Sequence, residues 1–141
     1  MTYAANTIVP IERTRGEIEA TLKRCGATSF AYFSEKGRAI VVFEAADRRI
    51  RFDLPVPEGA STKEQQQQRS KWRALLLCIK AKLESVESKI ETFEEAFLAH
   101  VVMPDGITVG QHTKPLIAQS YKSGDIQPLL PAPNQRQIGS R

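Results

Sequence analysis

The stretch KWRALLLCIKAKLESVESKIETFEEAF, residues 71–97, decides the architecture. Its large apolar residues fall at Trp72, Leu76, Ile79, Leu83, Val86, Ile90, Phe93 and Phe97. Alternating steps of four and three make a heptad seam along one face of a helix. Just upstream, Ser61 and Glu64 have the S-x-x-E spacing of a capping box. Together these signals predict one long helix from about 62 to about 99. At 1.5 Å per residue it would extend roughly 55 Å, longer than a compact domain of this size is wide. Either it breaks near Ser85 to Ser88, or its far half projects and packs elsewhere.

Charge along this helix is split. Residues 61–83 carry six basic side chains and one acidic; residues 84–105 carry one basic and six acidic. Basic first and acidic last opposes the helix dipole, so local helix stability does not explain the order. An antiparallel second copy would set Lys71, Arg73, Lys80 and Lys82 against its own Glu84, Glu87, Glu91 and Glu94. The expectation is therefore a homodimer with Trp72, Leu76, Ile79, Leu83, Val86, Ile90, Phe93 and Phe97 at the interface. Packing of the seam on the chain's own sheet is the alternative.

Upstream, residues 28–34, 38–45 and 48–54 are rich in aromatic and β-branched side chains and are separated by short polar connections. They predict a three-stranded antiparallel meander. In the third run Ile50, Phe52 and Leu54 alternate with Arg49, Arg51 and Asp53, one face core and one face wet. The middle run, AIVVFEA, is apolar on both faces and reads as a strand covered on both sides. A helix precedes the sheet, with Ile11, Ile18, Leu22 and Cys25 on one face, beginning at Pro10 or at a Thr14–Glu17 capping box. Beyond the long helix, HVVMPDGITV predicts a hairpin turned on Asp105-Gly106. A short helix then follows around KPLIAQSYKSG, with Thr113 as N-cap and Gly124 as a stop. QQQQ at 65–68 reads as a solvated first stretch of the long helix. The class is α+β: one domain over 1–130, followed by a mobile tail over 131–141.

The chain has 141 residues, a net charge of +4, two cysteines and two histidines. That length buries enough surface to fold without disulfides or metal. Cys25 and Cys78 read as buried free thiols, and no C-x-x-C spacing suggests zinc. No apolar run is long enough to span a membrane, and the N-terminus lacks the pattern of a secretory signal. A cytoplasmic location is the expectation, with no cofactor and no metal.

No G-x-S-x-G, P-loop or G-x-G-x-x-G occurs, and His100 and His112 lack a visible nucleophile to serve. The expectation is no enzyme. The leading reading is single-stranded nucleic-acid binding, with Arg48, Arg49, Arg51, Lys71 and Arg73 on phosphates and Tyr32 stacking a base. The other reading is a protein-binding module whose acidic stretch, Glu84 to Glu95, imitates a phosphate backbone. The α-β-β-β-α order is shared with double-stranded RNA-binding domains, but Glu64 and the glutamines dilute the basic motif expected at the second helix.

SKWRALLLCIKAKLESVES and FEEAFLAHVVMPDGITVGQ, within a span from about Ile11 to Leu130, resemble a family of small proteins encoded by tailed phages and prophages. The resemblance assigns no site residues. It implies work beside phage replication and recombination, or docking on a host enzyme or defence factor.

Overall fold

A computed structural model describes residues 4–130; the tail at 131–141 lies outside them. The order is α1 (Ile11–Arg24), β1 (Ser29–Glu35), β2 (Arg38–Ala45), β3 (Arg48–Pro55), α2 (Thr62–Glu87), α3 (Phe93–Phe97), a single 3-10 turn (Leu98–His100) and α4 (Val109–Ser123). The strands form one antiparallel sheet in the order β1-β2-β3. The α+β class and the meander stand as the alternation predicts.

α1 begins at Pro10, whose fixed φ suits a helix entry, and Thr14 is a buried interior residue rather than a cap. α2 opens at Ser61, whose side chain accepts from the Glu64 N–H while Glu64 reaches back to the Ser61 N–H.

The long helix does not run to 99 but breaks near Ser85 to Ser88, the first of the two alternatives. It ends at Glu87, and Lys89 takes a left-handed conformation at φ 61°. The Ile90 N–H donates to the Ser85 carbonyl at 3.0 Å and the Lys89 N–H to that of Val86 at 3.1 Å. This is the Schellman pair of bonds, with lysine where glycine is usual. Thr92 and Glu95 then form a second capping box and start α3 in a new direction. The break lets both parts of the seam reach the same core. Trp72, Leu76, Ile79, Leu83 and Phe97 are buried, Val86 and Phe93 pack against them, and Ile90 alone points outward at 77% exposure.

The sheet's inner face meets these helices. Ala39, Val41, Phe43, Ala45, Ile50 and Phe52 pack against Ile18 and Leu22 of α1, the α2 seam with Leu75, and Ala96 and Phe97 of α3. Phe97 stands edge-on to Phe43 and Phe52, with centroids at 5.8 and 6.3 Å. The expectation that the seam forms a dimer interface is thus corrected: all of its large side chains but Ile90 pack in the core of a single chain. Burial of the two cysteines is corrected as well, since both Cys25 and Cys78 are exposed.

The QQQQ stretch is not uniformly solvated. The Gln66 Nε2 donates to the carbonyls of Ala5 and Thr7, at 3.1 and 2.8 Å. The Gln68 Nε2 donates to those of Pro57 and Gly59, at 2.9 and 3.0 Å. Each amide pins a connecting segment whose carbonyls lack a ladder partner.

The hairpin on Asp105-Gly106 is reduced to a tight turn with one bridge, Val102 to Thr108, while Val101 bridges Ile50 and closes the β3 edge of the sheet. α4 starts five residues before the expected N-terminus, its N-cap being Thr108 rather than Thr113, through a third capping box with Gln111. It continues through Pro115 and stops at Gly124, which is left-handed at φ 80°. A Cβ on Gly110 would lie 2.9 Å from the Ala99 carbonyl oxygen, so only glycine permits α4 to approach the 3-10 turn this closely.

Candidate binding face of the sheet

Register decides which side chains share a surface. Tyr32 pairs with Val41, which pairs with Phe52, and Ala31 pairs with Val42, which pairs with Arg51. Successive residues alternate faces. The outer face therefore carries Ala31 and Phe33 from β1, Ile40, Val42 and Glu44 from β2, and Arg49, Arg51 and Asp53 from β3. No helix among the described residues lies across it: Phe33 is 58% exposed and Ala31 is exposed, while the outward residues of β2 are only half-buried. β2 is covered on one side, not both. A groove of about 430 Å³ runs over this face between Phe33, Val42, Arg49 and Arg51 and is bordered by Val102 and Gly106.

The six residues expected to bind nucleic acid do not come together. Arg49 and Arg51 alone stand on the outer face. The Arg49 Nη2 reaches a Glu44 carboxylate oxygen at 3.4 Å. Arg51 donates to the Gly106 carbonyl at 2.9 Å and the Gln111 Oε1 at 2.8 Å, tying β3 to α4. Arg48 pairs with Glu94. Arg73 pairs with Glu17 at 2.9 Å and ties α2 to α1. Lys71 is exposed on α2 with no ion pair to a described residue. Tyr32 belongs to the opposite face, where its ring meets Trp72 edge-on at 6.2 Å and the Arg15 guanidinium lies 4.3 Å from its centroid. Adjacent aromatics on a strand point to opposite sides, so Phe33, not Tyr32, is the ring on the open face.

The acidic stretch is also occupied locally. Glu94 meets Arg48, Glu91 accepts from the Ser85 hydroxyl at 2.7 Å, and the Ser88 hydroxyl donates to Glu84 at 3.3 Å. The Thr92 N–H and then its hydroxyl lower the pKa of Glu95 below its ordinary value.

Each histidine has a contact within the chain. His112 Nε2 lies 2.8 Å from Asp105 Oδ2, closing the 103–107 turn onto α4. His100 stacks on Phe52 with centroids 4.1 Å apart. Burial first, and the Lys82 cation second, hold its pKa below the usual 6.5, against the opposing Arg51 backbone hydrogen bond and Asp53 charge. The unfolded chain thus takes up this proton at a higher pH than the folded chain. The associated stability is fully present above about 6.5 and declines as pH falls below it. His100→Gln is expected to flatten the fall in urea midpoint between about pH 7 and pH 5. An unchanged slope would assign the acid sensitivity elsewhere.

Among the described residues, no cluster of three or more His, Cys, Asp or Glu side chains is arranged to hold a metal ion, and no helix is long and apolar enough to cross a membrane. No protein-family model, no curated protein and no solved structure matches this chain.

Proposed function

We propose that this chain is a non-catalytic protein-binding module whose working surface is the uncovered face of its sheet. The observation that carries this reading is the chemistry of that face. Its centre is apolar, at Ala31, Phe33, Ile40 and Val42. Its arginines already have acceptors within the chain: Arg49 has Glu44, and Arg51 has a backbone carbonyl and Gln111. At the β1–β2 end Arg38 has Glu35 at 3.2 Å. Phosphate binding draws its free energy from cations that release counterions, and each of these arginines already has a carboxylate nearby, Arg51 lying 3.7 Å from Asp53. An exposed apolar sheet face with a polar rim is instead the composition of a protein interface. The resemblance to phage proteins makes a host protein the expected partner.

The test is affinity capture from host lysate with the full chain, beside its Phe33→Asp variant. A captured protein that Phe33→Asp loses, with the melting temperature unchanged, is the expected result. Capture unaffected by Phe33→Asp would remove the outer face from the reading. Single-stranded nucleic-acid binding is the second reading. The exposed lysines of α2, Lys63, Lys71 and Lys80, favour it, having no ion pairs to described residues. Titration with single-stranded DNA, duplex DNA and RNA at about 50 mM salt separates the two. Micromolar binding that weakens steeply with salt would restore the nucleic-acid reading.

A further inference from the structure

The sheet has one closed edge and one open edge. Val101 and Val102 close β3, the Val102 N–H donating to the Arg49 carbonyl at 2.8 Å. Nothing among the described residues pairs with the outer edge of β1, where six of seven residues are exposed. Natural proteins blunt such edges with lysine, proline or a bulge. SFAYFSE, residues 29–35, contains neither lysine nor proline, and its register with β2 runs unbroken from Ser29–Glu44 to Glu35–Arg38.

The direction of the free backbone groups follows from the neighbouring turn. Ala46 and Asp47 both have positive φ, 51° and 60°, which makes the β2–β3 connection a two-residue type I′ turn. Ala45 and Arg48 are then a hydrogen-bonded pair, and bonding alternates along β2. Ala39, Val41, Phe43 and Ala45 bond to β3, so Ile40, Val42 and Glu44 bond to β1. On β1 their partners are Phe33, Ala31 and Ser29. Phe30, Tyr32 and Ser34 therefore present their N–H and C=O groups to the open edge.

Beside that edge lies a cation held in place. The Arg15 guanidinium sits 4.3 Å from the Tyr32 ring centroid and 4.5 Å from that of Trp72. It donates to the Ser34 hydroxyl at 3.3 Å. It has no carboxylate partner among the described residues, and its buried Nε has no acceptor.

We propose that β1 takes up an extended acidic-apolar peptide segment as a fourth strand, an inference that rests on the protein-binding reading above. The segment's main chain pairs with Phe30, Tyr32 and Ser34. Every second side chain faces outward beside Ala31 and Phe33, and is apolar. A carboxylate on the inward side meets Arg15 near Ser34. A second copy of this chain fits the edge less well. Arg15 brings α1 alongside β1, and a symmetric pair would carry two such helices over adjacent strands. Paired strands lie about 4.8 Å apart, whereas packed helices need about 8–10 Å.

The probe is a displayed library of random dodecapeptides enriched on the immobilised full chain, with the best peptide then synthesised. Enriched sequences are expected to alternate apolar residues and to carry Asp or Glu at a fixed offset. On binding, amide exchange should slow at Phe30, Tyr32 and Ser34. Ser34→Pro removes an edge-facing N–H, which an edge strand tolerates, together with the hydroxyl that accepts from Arg15; it is therefore read against Ser34→Ala, relative to which it should weaken the peptide by about tenfold or more. Arg15→Gln should weaken it by about fivefold and leave its Asp/Glu→Asn/Gln analogue unchanged. Exchange is read on the wild-type chain, so the proposal stays testable if a variant fails to fold. Peptides that Phe33→Asp releases but that leave the three β1 amides exchanging freely overturn strand addition and leave the protein-binding reading standing. An empty enrichment together with an empty lysate capture overturns both. Light scattering at twice the chain mass, with those amides already protected in the free protein, would give the edge to a second copy.

Discussion

Phe97→Ala is expected to destabilise the protein by about 3–5 kcal/mol, and Ile90→Ala by less than about 0.5 kcal/mol, although both residues occupy one heptad register. Phe97 is fully buried, edge-on to Phe43 and Phe52, with the Phe93 ring 4.7 Å away and the Lys82 ammonium 5.8 Å from its centroid. Truncation leaves a cavity between sheet and helices that rigid neighbours fill only in part. Ile90 sits in the turn at 77% exposure, so its truncation removes little buried area. Urea unfolding followed by the fluorescence of Trp72 measures both. A continuous seam shared between two copies makes a different forecast: comparable losses at both positions, and an unfolding midpoint that rises with protein concentration. Either result would sink the single-chain packing of the seam. For a domain with about 5–15 kcal/mol of total stability, the Phe97 loss alone is a large share.

The seam was legible, but its meaning was not. A spacing of four and three says that residues share a helix face, not that the helix is unbroken. The break is written in Thr92-x-x-Glu95, the same capping-box spacing as Ser61-x-x-Glu64. Of the two alternatives the sequence left open, the break near Ser85 to Ser88 is the one the chain adopts; the in-register Phe93 and Phe97 are what kept the unbroken helix in contention. Thr108-x-x-Gln111 likewise marks the true start of α4, five residues before Thr113. Lys89 gave no warning, since left-handed C-terminal residues are usually glycine or asparagine.

At the candidate site, strand alternation correctly placed Arg49 and Arg51 outward from Ile50 and Phe52. It did not say whether Tyr32 or Phe33 joins them. That choice depends on cross-strand register, which two adjacent aromatics leave open by a single residue. Ion pairing was also hidden: Arg48 finds Glu94 and Arg73 finds Glu17 only after the chain has folded. A count of basic residues therefore overstated the free positive charge. Arg15 went unnoticed for the converse reason, as nothing local marks a cation that will lie between two rings from β1 and α2.

Trp72→Ala is expected to cost about 3–5 kcal/mol, part of it through Arg15. Trp72 is 1% exposed at the junction of α1, α2 and β1. Its removal opens a void and also withdraws one of the two rings beside the guanidinium. A desolvated cation over an aromatic face is worth about 0.5–2 kcal/mol. Because Arg15 Nε has no hydrogen-bond acceptor, the two rings and one hydrogen bond to the Ser34 hydroxyl are what hold this side chain against the inner face of β1. The double variant Trp72→Ala/Arg15→Gln should therefore lose about 0.5–1 kcal/mol less than the sum of the single variants. Urea unfolding followed by far-ultraviolet circular dichroism gives all three values, since this is the only tryptophan in the chain. Strict additivity would mean that the guanidinium gains nothing from the indole. The edge of β1 would then carry a loosely held arginine in place of a preorganised one, and Arg15→Gln would cost a bound acidic segment far less affinity.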